Sequence, residues 1–106
     1  MESIVVLVTC GSAKEAQRLG RAVVRKRLAA CVNVVGSPVK SVYRWKGKVE
    51  STVEVLMLIK TTRGKFRDLE MEIRRLHSYE TPEIIALPIA AGSIAYLKWL
   101  RNSVKA

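Results

Sequence analysis

The chain has 106 residues, of which 49% are hydrophobic and 26% charged, and its formal net charge is +10. This length allows a single domain over residues 1–106 with one core, and this composition excludes a disordered chain. Because no apolar run reaches the roughly 20 residues needed to span a bilayer, and no basic segment precedes the first apolar run, we expect a cytoplasmic protein without a membrane partner.

The excess of positive charge raises the question of a nucleic-acid or anionic ligand. The lysines and arginines are spread over the polar faces of the predicted helices and hairpin, where solvated charge is the ordinary state. The two cysteines, Cys10 and Cys31, are expected to stay reduced in the cytosol, and their spacing matches no zinc-ligand pair. Cys31 lies in the small apolar run of residues 29–32, so a buried structural role is the alternative to ligation.

Short β-branched runs and one capping signature predict the elements of the N-terminal half. Residues 4–8 form a strand, and Ser12 followed three residues later by Glu15 marks the start of a helix that continues to about Leu28. Gly36-Ser37-Pro38 interrupts the next extended stretch, and Lys46-Gly47 marks a hairpin turn. The extended segments are residues 31–35, 39–45 and 49–61.

The C-terminal half adds a helix from about residue 62, a strand over residues 84–90 and a last helix that begins after Gly92-Ser93. The apolar stripe of the first of these helices is Phe66, Leu69, Ile73 and Leu76. The resulting order is βαββαβ followed by a C-terminal helix. It predicts an α+β fold, a ferredoxin-like sandwich of helices on an antiparallel sheet.

Both faces of the predicted sheet are apolar. Right-handed crossovers place the two main helices on one face, so the strands of an isolated domain should alternate apolar and polar residues. In the last strand, Ile85 and Leu87 instead oppose Ile84 and Ala86. Because the burial of each large apolar side chain is worth about 1.5–3 kcal/mol, we predict that further copies of the chain cover the second face in an obligate homo-oligomer.

The segment from His77 to Ile84 carries an imidazole, a phenol and two carboxylates between a helix and a strand. Pro82 fixes its own φ and favours an extended conformation at Thr81. Ligand-type side chains at the mouth of a strand indicate a functional site. The alternative is a structural connector in which His77 caps the preceding helix.

Several separated motifs, in one order and over nearly the whole chain, resemble the CutA family of divalent-cation-tolerance proteins. They are Leu28-Ala-Ala-Cys31-Val32-Asn33, Ser41-x-Tyr43-x-Trp45-x-Gly47, Glu54 with Lys60-Thr61, His77-x-Tyr79-Glu80-x-Pro82-Glu83-Ile84, and Tyr96-Leu97-x-Trp99. Ser78 stands where the family usually has proline. The resemblance implies a homotrimer of ferredoxin-like subunits, similar in build to PII-type signalling proteins, with clefts between subunits. It also implies association with copper and other divalent metals.

Cys31, His77 and Glu83 are the predicted metal ligands, because a split βαβ fold brings the ends of their elements towards connected ends of the sheet. Thiolate and imidazole suit copper or zinc, and a carboxylate widens the range. A neighbouring subunit could supply some of these ligands, and Cys10 is a second candidate thiol. The alternative is a core Cys31, a helix-capping His77 and a surface Glu83.

A second group of residues predicts a ligand cleft. Tyr43 and Trp45 share one face of the hairpin strand, and Lys60 ends the strand paired with it. With Tyr79 and Glu80, these side chains could line a cleft for a small anion. Alternatively, the two hairpin aromatics anchor a subunit interface.

Two other functions of this fold disagree with the sequence. Acylphosphatase chemistry needs a phosphate loop with an arginine directly after the first strand, and residues 9–12 contain none. An RNA-binding sheet needs exposed aromatic residues on its central strands, which here are aliphatic. We therefore expect a non-enzymatic homotrimer that binds a divalent metal, copper first, and no nucleic acid. A PII-like trimer that senses a small ligand without a physiological metal is the alternative.

Overall fold

The fold is an antiparallel sheet with helices on both faces, seen in a computed structural model that describes residues 2–105. Its elements are β1 (Ser3–Cys10), α1 (Ala13–Arg25), β2 (Cys31–Val34), β3 (Val39–Trp45), β4 (Lys48–Thr62), a 3-10 turn (Arg63–Lys65), α2 (Phe66–Leu76), β5 (Ile84–Pro88) and α3 (Ile94–Ser103). The strand order is β2-β4-β1-β5, and β3 pairs with β4 alone. The predicted α+β class and the βαββαβ order with an additional C-terminal helix are confirmed, with β2 and β3 as the two parts of the strand that Gly36-Ser37-Pro38 interrupts.

Strand β4 organises the sheet because its 15 residues serve three partners. Its second half pairs with β1, from Cys10 opposite Val55 to Ser3 opposite Thr62, and also with β2. Its first half forms the predicted hairpin with β3. Lys46 and Gly47 have φ values of 51° and 81°, the two positive values that a tight type I′ turn requires.

The main core lies between the sheet and helices α1 and α2. Alternate residues of β1 and β4 point towards these helices, so that Val6 faces Ile59 and Val8 faces Met57 across the two strands. The buried side chains of this core come from both strands and both helices: Ile4, Val6, Val8, Met57, Ile59, Leu19, Val23, Leu69 and Ile73. The helical stripe predicted from residues 66–76 therefore packs as expected.

The second face of the sheet is apolar, as predicted, but this chain covers part of it. Helix α3 packs Leu100 and Val104 over Ala30 on that face, which corrects the expectation that one chain has helices for only one face. Beyond α3 the face is open, and Ile85 and Leu87 of β5 are each 50% exposed. None of the three α-helices within residues 2–105 is both long and apolar enough to cross a membrane.

Several boundaries differ from the predicted ones for local reasons. Strand β1 extends to Cys10, so this cysteine lies in the strand and not beyond it. Helix α1 ends at Arg25 instead of Leu28, because Arg27 adopts a left-handed φ of 58°. The Arg27 N–H then donates to the Val24 carbonyl and the Leu28 N–H to the Val23 carbonyl, the paired bonds that close a helix end.

Candidate metal centre and ligand cleft

Three ligand-type side chains meet inside the protein where β1 ends, α1 begins and α2 ends. Cys10, Glu15 and His77 are all buried, and one ligand atom from each lies within 4.8 Å of the others. The predicted capping signature places the carboxylate, because the Glu15 N–H donates to the Ser12 hydroxyl at 3.1 Å and fixes the first turn of α1. We call these three residues the buried cluster.

The Glu15 carboxylate ties two loops together. It accepts hydrogen bonds from the Ser78 N–H at 2.8 Å and the Gly11 N–H at 3.4 Å, and Oε2 lies 3.8 Å from His77 Nδ1. Burial alone would raise the pKa of this carboxyl, but the hydrogen bonds donated by Ser78 and by the Gly11 N–H outweigh burial and hold the pKa below its usual value. Glu15 is therefore an ionised acceptor at neutral pH.

Both ring nitrogens of His77 have protein partners. Nε2 lies 2.8 Å from the Thr9 carbonyl, and Nδ1 lies 3.0 Å from the Tyr79 backbone nitrogen. A carbonyl only accepts and a backbone N–H only donates, so these partners assign the neutral tautomer with the proton on Nε2. The imidazole thus joins the end of β1 to the loop after α2, and it can offer Nδ1 to a metal only if the Tyr79 N–H gives way.

The Cys10 thiol is held in its protonated form. It donates to Met57 Sδ at 3.5 Å, and burial, aided by the Glu15 and Glu54 carboxylates, raises its pKa to about 12. Sulfur, imidazole nitrogen and carboxylate oxygen together form a donor set that suits copper and zinc. These metals bind at about 2.0–2.3 Å, so binding would draw the three ligand atoms together and release the thiol proton. The donor chemistry of the buried cluster fits a divalent metal.

The predicted ligands Cys31, His77 and Glu83 do not meet within one chain. Cys31 pairs through β2 with Lys60, whereas Cys10 beside His77 pairs with Val55. These positions are five residues apart on β4, which is about 17 Å along the strand. Glu83 is exposed and lines the cleft described next. A site built from Cys31, His77 and Glu83 stays a prediction that requires a second subunit.

Beside the buried cluster lies a cavity of about 680 Å³ between the hairpin and the loop before β5. Four of the five predicted cleft residues line it, namely Tyr43, Trp45, Tyr79 and Glu80. Lys60 does not line it. The complete lining is Thr9, Ser41, Val42, Tyr43, Trp45, Glu54, Tyr79, Glu80, Thr81, Pro82 and Glu83. We call this cavity the aromatic cleft.

Three carboxylates and no lysine or arginine line the aromatic cleft. Glu54 is only 7% exposed and forms no ion pair with a cation among residues 2–105. Burial, followed by the neighbouring Glu54 carboxylate, raises the pKa of the Tyr79 phenol to about 12. Carboxylates and aromatic faces both attract positive charge, so the lining favours a cation over the small anion expected from Lys60.

Sequence reasoning named Cys10 as a second thiol but did not place Glu15 or Glu54 at a site. Glu15 carried a signal, the capping signature, which predicted the helix start correctly and gave no information on what the carboxylate contacts. Glu54 lies on a strand, and its burial in the cleft depends on the crossing of the loop after α2, which no local pattern reveals.

The sequence and the fold both match one family of known proteins. The profile described as CutA1 divalent ion tolerance protein matches residues 4–103. The divalent-cation tolerance protein CutA of Thermus thermophilus is 48% identical over 99 residues, covering 93% of this chain and 95% of that protein. The solved structure of the periplasmic divalent cation tolerance protein CutA from Archaeoglobus fulgidus superposes with a TM-score of 0.93 at 38% identity, covering 97% of this chain and 99% of that one. The chain belongs to the CutA1 divalent ion tolerance protein family.

Length differs among the relatives. Protein CutA, chloroplastic, of Arabidopsis thaliana is 45% identical over 103 residues, which are 97% of this chain but 56% of that protein. The chain thus spans about half of this plant relative and nearly all of the Thermus one. Membership in a family described by ion tolerance confirms the expectation of a divalent-cation tolerance protein.

Proposed function

We propose that the protein is a homotrimer that binds a divalent metal, copper first, in a site centred on His77. The observation that carries this proposal is the buried cluster, in which thiol, imidazole and carboxylate ligand atoms lie within 4.8 Å of one another. Sulfur and nitrogen donors favour copper and zinc over magnesium and calcium. The family description, divalent ion tolerance, supports the same class of ligand.

Two ligand sets share His77 in this proposal. In the first, Cys10 and Glu15 complete the site within one chain. In the second, Cys31 and Glu83 complete it, with Cys31 supplied by a neighbouring subunit. The two sets differ in which cysteine they use, so the two cysteine substitutions serve as matched controls for each other.

The open part of the second sheet face supports the homotrimer. Ile85 and Leu87 are half exposed there, and Val42, Val49 and Val53, on the helix-bearing face of the hairpin beyond the reach of α1 and α2, are exposed by more than half. Each large apolar side chain that a partner buries adds up to about 1.5–3 kcal/mol to association. A threefold assembly is the state that the resemblance implies.

Native mass spectrometry tests the metal and the assembly together. Protein purified without tags or chelators is measured alone and after addition of copper, zinc and magnesium. We expect a trimer that takes up copper in multiples of three, and we expect His77→Gln to lose this uptake. Loss in Cys10→Ala alone selects the intrachain set, and loss in Cys31→Ala alone selects the set shared between subunits. Uptake that survives all three substitutions would overturn the metal site.

Sedimentation velocity at micromolar concentration tests the apolar face separately. The double variant Ile85→Lys/Leu87→Lys places two charges on this face and is expected to sediment as a monomer. Val24→Lys is the control, since Val24 is also an exposed apolar residue but lies on α1 over the other face. A wild-type monomer, or an Ile85→Lys/Leu87→Lys protein that still sediments as a trimer, would contradict the proposed interface.

The aromatic cleft supports a second candidate function, a PII-like trimer that senses a small ligand without a physiological metal. Its volume of about 680 Å³ falls in the range of small-molecule sites, and its lining suits a cationic ligand. A trimer that binds no metal but carries a small cation in mass spectrometry would favour this function. We also propose that the protein is located in the cytoplasm. The printed name of one relative includes the word chloroplastic, and that of another includes the word periplasmic.

A further inference from the structure

A second cavity of about 680 Å³ lies at the opposite end of the sheet from His77. It opens between the start of α2, the end of α3 and the last residue of β4. Its lining residues are Thr62, Gly64, Lys65, Asp68, Lys98, Arg101, Asn102, Val104 and Lys105. Ser3 pairs with Thr62 and Cys10 with Val55, so the seven steps of β1 between them, about 23 Å, separate this basic cavity from the buried cluster.

The basic cavity brings four cations together around one concave surface. Lys65, Lys98, Arg101 and Lys105 line it, against the single acid Asp68. None of these four cations forms an ion pair with an acid of residues 2–105, whereas nearby Arg63 pairs with Glu2 at 2.6 Å. Like charges around a concave surface raise its potential and attract anions.

One buried hydroxyl at this place also lacks a hydrogen-bond partner. Thr62 is 1% exposed, and its hydroxyl has no hydrogen-bond partner among the described residues, whereas the Thr61 hydroxyl donates to the Leu28 carbonyl at 2.7 Å. Thr62 and Lys65 are the N-cap residues of the 3-10 turn and of α2, and neither side chain makes a capping hydrogen bond. The Arg63 N–H donates to the Glu2 carbonyl and the Phe66 N–H to the Arg63 carbonyl, so the contribution of α2, which has 11 residues, is the positive end of its dipole, which favours negative charge.

We propose that the basic cavity binds a small phosphate-bearing anion. Lys98 and Arg101 supply positive charge from α3, Lys65 supplies it at the start of α2, and the Thr62 hydroxyl gains the acceptor that it lacks. The cavity is larger than one phosphate group needs and lies in the size range of small-molecule sites, which points to a diphosphate or an organic phosphate. No residue of the buried cluster or the aromatic cleft takes part, so the site does not depend on the metal.

Calorimetric titration of the full chain with inorganic pyrophosphate at 150 mM salt tests the proposal. The double variant Lys98→Gln/Arg101→Gln removes two cations from the cavity, and we expect it to bind at least about tenfold more weakly, because charged hydrogen bonds are among the strongest contacts to phosphate. Lys14→Gln/Arg18→Gln removes the same charge from α1 and should stay within about twofold of wild type. Equal weakening in both double variants, or no wild-type binding at millimolar pyrophosphate, would overturn the proposal.

Thr62→Val tests the hydroxyl, because it keeps the shape of the side chain. We expect about fivefold weaker pyrophosphate binding, with a thermal midpoint equal to or above that of wild type. Unchanged affinity in this variant would refute the role of Thr62. A parallel titration with a nucleoside diphosphate identifies the source of the phosphate: tighter binding than pyrophosphate indicates an organic phosphate, and equal binding indicates that the phosphate groups alone are recognised.

Discussion

Glu15→Gln is the substitution that most directly tests the account of the buried cluster. The carboxylate accepts the Ser78 N–H at 2.8 Å and the Gly11 N–H at 3.4 Å, one on each oxygen. Glutamine keeps the shape but replaces one acceptor oxygen by an NH₂ group, which must face one of these two donors. Because a hydrogen bond to a charged group contributes about 1.5–3 kcal/mol and a neutral one about 1, we expect the free energy of unfolding to fall by about 2 kcal/mol.

The lowered pKa of Glu15 determines how this difference in unfolding free energy changes with pH. The folded-state pKa of Glu15 is lowered from 4.5, so its stabilising effect is complete above pH 4.5 and is lost as the pH falls through the folded-state value. The difference between wild type and Glu15→Gln should therefore be constant at neutral pH and shrink in acid. Urea unfolding at fixed protein concentration, from pH 7 down to pH 3, measures it, with the exposed Glu50→Gln as control. A difference below about 0.5 kcal/mol at pH 7, or one that does not shrink in acid, would refute the reasoning.

Two further predictions concern stability alone. Arg27→Gly should raise the free energy of unfolding, measured in urea, by about 0.5–1 kcal/mol. Glycine adopts the left-handed φ of 58° without strain, and the greater entropy of the unfolded glycine chain cancels only part of this stabilisation. A loss of stability would contradict this explanation of the end of α1. Thr61→Val should lower the thermal midpoint and cost about 1–2 kcal/mol, because the partly buried Leu28 carbonyl loses the donor held at 2.7 Å. A Thr61→Val protein as stable as wild type would show that water replaces this donor.

Local patterns predicted the fold well because the relevant signals are themselves local. The helical stripe from Phe66 to Leu76, the capping pair Ser12 and Glu15 and the Lys46-Gly47 turn each lie within a few residues of the element that they define. The end of α1 was predicted too late because a helix end usually shows glycine at the left-handed position. Here arginine occupies it, and only the two backbone hydrogen bonds that it permits reveal the end.

The site was predicted less well, because it depends on the register between distant strands. That His77 takes part in a metal site is still a prediction, yet its neighbours are now defined: the Thr9 carbonyl and Cys10 are 68 and 67 positions away in sequence. Lys60 and Glu54 both lie on the long strand β4. Glu54 lines the cleft, whereas Lys60, six residues further along, pairs with Val5. A sequence pattern gives the face of a side chain, whereas the position along the sheet follows only from the pairing.

The net charge of +10 is distributed unevenly, because cavities of opposite charge lie at the two ends of the sheet. Three of the nine acids line the aromatic cleft, where no lysine or arginine lies, while four of the nineteen cations line the basic cavity. The two ends are about 23 Å apart along β1, more than twice the screening length of about 8 Å at physiological salt. Each end therefore acts on its ligand independently of the other charge. A chain that is strongly basic as a whole can attract a cation at one end of its sheet and an anion at the other.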